Sequence, residues 1–208
     1  MDAGNTRVMS STDCTSWAGN ALSPVGWFGM AYGNGTYVAT GGSEVAYSTD
    51  GVTFVRKIGN YGHYVAFGAG RFLAVSLDIS GTLGTSTDGV NWSWVPNPLI
   101  STAAYSGQIA FVNGRFILVQ GATFATSTDG VNWSKGTLPV AVTGRSHIAY
   151  GGGTYLIVSA GSRFLTSTDA QTWTVQNVPY AQWAGAAFGN GRFVGATGNG
   201  SQLGYTTN

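Results

Sequence analysis

Five times along the chain a short apolar run meets a glycine turn and restarts from an aromatic: MAYGNGTY (30–37), VAFGAGRF (65–72), IAFVNGRF (109–116), IAYGGGTY (148–155) and AAFGNGRF (186–193). The glycines suit the positive φ of a two-residue hairpin, so each run reads as strand A, a tight turn and strand B. The continuations RFLAVS, RFILVQ and TYLIVS are nearly unbroken apolar runs, the pattern of a strand buried on both faces. A third segment follows in each period (VAYSTD, LGTSTD, FATSTD, FLTSTD), and a fourth carries an aromatic in VTF, VNW, VNW and QTW. The pattern predicts four strands per period, A to D, with the aromatic inside strand D. It assigns the strand A aromatics Tyr32, Phe67, Phe111, Tyr150 and Phe188 to the core.

The triplet STD recurs with its Asp at 13, 50, 88, 129 and 169, a degenerate TTN ends at Asn208, and TSTDGVNWS stands twice, at 85–93 and 126–134. A repeat near 40 residues built of four short strands is the signature of a propeller blade. The expected fold is therefore all-β, a five-bladed β-propeller of four-stranded antiparallel blades in one domain, 1–208. Its ring closes by N- and C-terminal strands in one blade. Residues 14–20 would supply strand D beside strands A and B from 184–197. Two C-type segments, 7–13 and 202–208, compete for the remaining place. The complete STD turn of 7–13 weighs in its favour, and the choice stays open.

The segments STDGVNW (86–92 and 127–133), STDGVTF (48–54), STDAQTW (167–173) and STDCTSW (11–17) resemble the Asp box, or BNR repeat, of sialidase-like β-propellers, one residue shorter between Asp and Gly. That resemblance implies a hairpin turn at each box. The residue types agree, because Ser and Thr hydroxyls and an Asp carboxylate accept the backbone N–H groups that a tight turn leaves unpaired. Asp13, Asp50, Asp88, Asp129 and Asp169 are accordingly read as structural. Trp17, Phe54, Trp92, Trp133 and Trp173, which close the boxes, are expected to pack between neighbouring blades.

Charge narrows the function. Asp, Glu, Lys and Arg make up 8% of the residues and the net charge is +1, too weak a field to recruit nucleic acid. No apolar run reaches membrane-spanning length, and the N-terminus lacks the pattern of a signal peptide. Cys14 is the one cysteine, so neither an internal disulfide nor a zinc ligand set is expected. Sialidases of the resembling family use an arginine triad, a Tyr nucleophile with a Glu partner, and an acid/base Asp. They also carry an Arg-Ile-Pro motif, and these are not assembled here. Outside the boxes the carboxylates are Asp2, Glu44 and Asp78, a poor stock for glycoside chemistry. Glu44 and Asp78 read as solvated residues of equivalent B-to-C turns. Arg71, Arg115 and Arg192 share one repeat position, which favours packing or turn contacts. His63 and His147 lack a nucleophile and a third metal ligand. The chain is expected to be non-enzymatic, without cofactor or metal.

Variation concentrates in the D-to-A connections, read as 18–28, 56–64, 95–108, 138–147 and 178–185. They bring Trp27, Tyr61, His63, Tyr105, Arg145, His147, Tyr180 and Trp183, the candidate ligand-binding residues, whose rings could stack on a sugar. Composition and the compact repeat are similar to propeller domains of bacteriophage virion proteins. That resemblance implies a tail, fibre or capsid-surface component, in a virion or extracellular setting, contacting other virion proteins or a cell-surface glycan. A secreted lectin-like propeller and, behind it, a glycoside hydrolase are the alternative readings.

Overall fold

The computed structural model describes residues 7–21, 26–75, 81–99, 107–144, 146–198 and 203–205. Among them all regular structure is strand, and the chain divides into two compact units, Met1–Pro96 and Asn97–Asn208. The first holds β1 (Arg7–Ser10) and β2 (Ala18–Ala21), paired with each other. Two antiparallel four-stranded sheets follow: β3 (Gly29–Gly33), β4 (Thr36–Thr40), β5 (Gly42–Ser48) and β6 (Val55–Gly62), then β7 (Tyr64–Gly68), β8 (Arg71–Val75), β9 (Thr82–Ser86) and β10 (Ser93–Pro96). The second unit holds the sheet of β11 (Gln108–Val112), β12 (Arg115–Gln120), β13 (Thr123–Ser127) and β14 (Ser134–Thr137). Beside it is the sheet of β15 (Ser146–Gly151), β16 (Thr154–Ser159), β17 (Gly161–Ser167) and β18 (Thr174–Ala181). A three-stranded sheet of β19 (Trp183–Gly189), β20 (Arg192–Thr197) and β21 (Leu203–Tyr205) completes it. Each four-stranded sheet is one sequence period, in chain order from strand A to strand D.

The A–B turns are two-residue hairpins in which both residues have positive φ, as at Asn34 (46°) and Gly35 (77°) or Asn113 (49°) and Gly114 (74°). That geometry matches the right-handed twist of the flanking strands, and Asn followed by Gly adopts it at least cost. Strand B is the core strand: Phe72 to Val75 in β8 and Phe116 to Gln120 in β12 are all buried. In the second unit Ile117, Val119 and Phe124 of one sheet pack with Tyr155, Ile157, Leu165 and Trp173 of the next. In the first, Val38 and Val45 pack with Val65, Phe72 and Ala74.

Three expectations need correction. The strand A aromatics are not core residues: Tyr32 is 57% exposed, and Phe67, Phe111, Tyr150 and Phe188 are half-buried. They flank the hairpin turn, each opposite a strand B aromatic with ring centroids 4.4–4.8 Å apart, and in three of the five pairs the strand B partner, Phe72, Phe116 or Tyr155, takes the interior place. The box aromatics lie one residue before strand D, which begins at Val55, Ser93, Ser134 and Thr174. Two D-to-A connections shrink to single residues, His63 and Gln182, because β6 and β18 extend through segments read as loops. The choice left open between the two C-type segments falls on 202–208: the strand beside β20 is β21, with Gly195 opposite Gly204, whereas β1 pairs with β2.

Candidate functional site

The STD turn is the most repeated polar assembly. In the copy at 126–134, Ser127 Oγ donates to Asp129 Oδ1 at 2.8 Å and accepts from the Gly130 N–H at 2.8 Å. Asp129 Oδ1 also accepts from the N–H groups of Val131 and Asn132, both at 2.8 Å, and Oδ2 accepts from Asn132 Nδ2. The copy at 85–93 repeats this set around Asp88. Asp13, Asp50 and Asp169 likewise each accept two backbone N–H groups and a Ser hydroxyl. The residue after each Asp has positive φ, from 60° at Cys14 and Ala170 to 75° at Gly89.

Donors aimed at a carboxylate favour its charged form. Asp50 is lowered to about 2, first by the Thr53 N–H and then by that of Val52. Asp13, Asp88, Asp129 and Asp169 are held well below the ordinary carboxylate range, led by the N–H groups of Ser16, Asn91, Val131 and Thr172 respectively. A catalytic acid needs a raised value, the opposite shift.

Glu44 is not a solvated turn residue. It lies within β5, 6% exposed, and Arg56 of β6 grips it through Nε to Oε2 at 2.8 Å and Nη2 to Oε1 at 2.6 Å. Strand register creates this pair: Ala46 lies opposite Arg56 and Glu44 opposite Ile58, so the two charged residues are diagonal neighbours on one sheet face. Asp78 lies outside the described residues.

The candidate ligand residues divide. Tyr105 and Arg145 lie outside the described residues, and Tyr61 falls within β6. In the first unit, His63 packs its ring 5.0 Å from that of Phe28, and its carbonyl accepts from Thr40 Oγ1 at 2.9 Å. Trp27 is half-buried, with its indole nitrogen enclosed and unpaired. In the second unit, His147 is half-buried opposite Val158, Nδ1 has no partner, and burial lowers its pKa. Trp183, 4% exposed, is a core residue: it packs against Leu156, Val158 and Phe164 and donates to the Pro179 carbonyl at 3.1 Å. It pairs with Thr197 just ahead of a register shift between Trp183 and Gly185. Tyr180 stands 74% exposed.

Two grooves escaped the sequence reading. One, in the first unit, has a volume of about 640 Å³ between the β1–β2 hairpin and the β3–β6 sheet, with Met9, Trp17, Met30, Tyr37 and Phe54 among its walls. The other, in the second unit, holds about 380 Å³ beside a box and is lined by Arg115, Thr126, Thr128, Asn132, Trp133 and Ser134. The repeated arginine position was its one visible signal. Among the described residues no three His, Cys, Asp or Glu side chains come together as a metal site.

The sequence family described as DUF6242 beta propeller domain matches residues 63–180, more than half of the chain. No curated protein matches the chain. Among solved structures it is similar to a streptogramin B lyase, with a TM-score of 0.76 and 16% identity, covering 94% of this chain and 70% of that one. It is similar to YCF48 bound to a D1 peptide, with a TM-score of 0.63 and 20% identity, covering 87% of this chain and 63% of that one. It is also similar to the GH74 enzyme of Niastella koreensis, with a TM-score of 0.66 and 18% identity, covering 100% of this chain and 35% of that one. At these identities the likeness is one of fold.

Proposed function

The chain belongs to the DUF6242 beta propeller domain family, and from that premise we propose that it is a non-enzymatic binding or structural propeller. We place it in a bacteriophage virion, as a tail, fibre or capsid-surface component contacting other virion proteins or host glycans. One observation carries the non-enzymatic part: each carboxylate among the described residues is engaged by the fold. The five STD aspartates hold turns and Glu44 holds Arg56. Most glycoside hydrolysis uses a carboxylate pair with separate acid and nucleophile or base roles. The virion setting is supported by the sparse charge and the self-contained repeat.

The proposal includes a five-bladed ring of the Asp-box type that takes both units into one domain, 1–208, closed in one blade by strands from the two ends of the chain. Each unit, taken by itself, has an unfinished surface that supports it. A Cβ on Gly33 would fall within the Phe67 ring, and one on Gly151 within the Phe188 ring, so a strand A aromatic lies on the glycine of the preceding strand A. Among the described residues Tyr32 has no such strand before it in its unit and is 57% exposed, and a Cβ on Gly189 would meet none of them.

The test exposes the full chain to a glycan array, to the other proteins of the virion and to a panel of fluorogenic glycosides. The expected result is saturable binding that Tyr180→Ala weakens at an unchanged melting temperature, with no turnover. Turnover that disappears in Glu44→Gln would contradict the proposal.

A further inference from the structure

The nine residues 126–134 repeat 85–93 letter for letter, yet their surroundings differ. Trp92 donates its indole N–H to the Gly89 carbonyl at 3.0 Å. Trp133 packs on Phe116 as Trp92 packs on Phe72, with ring centroids 6.4 Å apart in both pairs, but its indole N–H has no hydrogen bond among the described residues. It lines the 380 Å³ groove instead.

Arg115 forms another wall. One terminal nitrogen donates to the Asp169 carbonyl at 3.1 Å, which fixes the guanidinium, while its Nε is enclosed without a partner. No carboxylate among the described residues pairs with it. Neither neighbouring box carboxylate is open to it: Asp129 takes the donors of Ser127, Val131 and Asn132, and Asp169 those of Ser167, Gln171 and Thr172. Thr126 is taken as well, accepting from Gln171 Nε2 at 2.6 Å. What remains open is an indole N–H, the outer edge of a guanidinium and the hydroxyls of Thr128 and Ser134. Indole and guanidinium only donate.

A donor-rich groove with one fixed positive charge and an aromatic wall calls for a ligand that brings acceptors, a negative charge and an apolar face. A carboxylate meets the first two demands, because the guanidinium fork matches its two oxygens. A pyranose ring supplies the third by lying against the indole. We propose that this groove binds an acidic sugar residue, a uronate within a larger glycan, with its ring on Trp133 and its carboxylate on Arg115. This deepens the binding role proposed above and rests on it. It involves none of Trp27, His63, His147 or Tyr180, so the two can fail separately.

The experiment titrates the full chain with a tetrasaccharide alternating glucuronic acid and N-acetylglucosamine, following the tryptophan indole N–H resonances by NMR, with the carboxyl-reduced tetrasaccharide as comparison. The expected result is a saturable shift of the Trp133 resonance with the acid form, weakened by added salt and at least about tenfold weaker with the reduced form. Trp133→Phe, which keeps the packing on Phe116, and Arg115→Gln should each weaken binding about tenfold, while Trp92→Phe should leave it unchanged. Should Arg115→Gln fail to fold, Arg115→Lys keeps the charge, loses the fork and should still bind more weakly. A Trp133 resonance unmoved by the acid form, or moved equally by both forms, overturns the proposal. A shift at Trp27 alone would overturn it too, while leaving the binding role intact.

Discussion

Asp129 illustrates how much one short side chain does here. Its carboxylate gathers two backbone N–H groups, a hydroxyl and an amide, all from within three residues of it in the chain. This was legible in the sequence, because a hydroxyl, a carboxylate and a positive-φ residue in a row have few uses besides a turn. The Glu44–Arg56 pair was not legible: the partners are twelve residues apart, and only the strand register makes them diagonal neighbours. Asp88→Asn and Asp129→Asn should each lower the melting temperature, and by similar amounts, since the two turns share one hydrogen-bond set. Scanning calorimetry checks this, and a large difference between them would mean that the turn is not a self-contained module. The pH dependence follows from the same shifts. A carboxylate depressed in the folded state stabilises it above the unfolded value, near 3.8, and that contribution is lost as pH falls through the folded value, about 2 for Asp50. His147, lowered by burial, acts earlier: the unfolded chain takes up its proton first, so stability declines as pH falls below the ordinary value of 6.5.

At the scale of the strand and its turns, the apolar runs located the strands and the glycine pairs located the hairpins. What stayed illegible was which face of a sheet finds a neighbour. Trp17 and Trp173 hold the same box position, yet Trp17 is 55% exposed and Trp173 is 7% exposed, set against Phe124 of the adjacent sheet at 6.0 Å. Among the described residues the β1–β2 hairpin has no third strand, whereas the box of Trp173 belongs to a complete sheet with another beside it. Trp173→Ala should therefore cost about 3 kcal/mol or more, the usual loss when a large aromatic leaves a packed core. Trp17→Ala should cost well under about 1 kcal/mol, as surface substitutions do. Denaturant unfolding of both variants checks the contrast. Equal losses would show that Trp17 is covered in solution. The same blindness misassigned Trp183: an aromatic near the junction of two strands looks alike in sequence whether it stays exposed, as Tyr180 does near the end of β18, or packs into the core, as Trp183 does at the start of β19.

For the whole molecule, the period of about 40 residues carried the propeller fold and the four-stranded sheets. It did not carry the arrangement at the chain ends, where two C-type segments have similar sequences and only one, Leu203–Tyr205, stands beside β20. If the proposed ring is closed, removing residues 1–21 should broaden and lower the unfolding transition; an unchanged melting curve would refute closure. The central claim is that the repeated carboxylates serve the fold and do no chemistry, and it is open to one measurement on the intact protein. Carbon-detected NMR titration of the aspartate carboxyl groups should find Asp13, Asp50, Asp88, Asp129 and Asp169 all titrating below the ordinary value of 3.8. One of the five titrating above that value would mark a group kept ready to hold a proton, and would contradict the account.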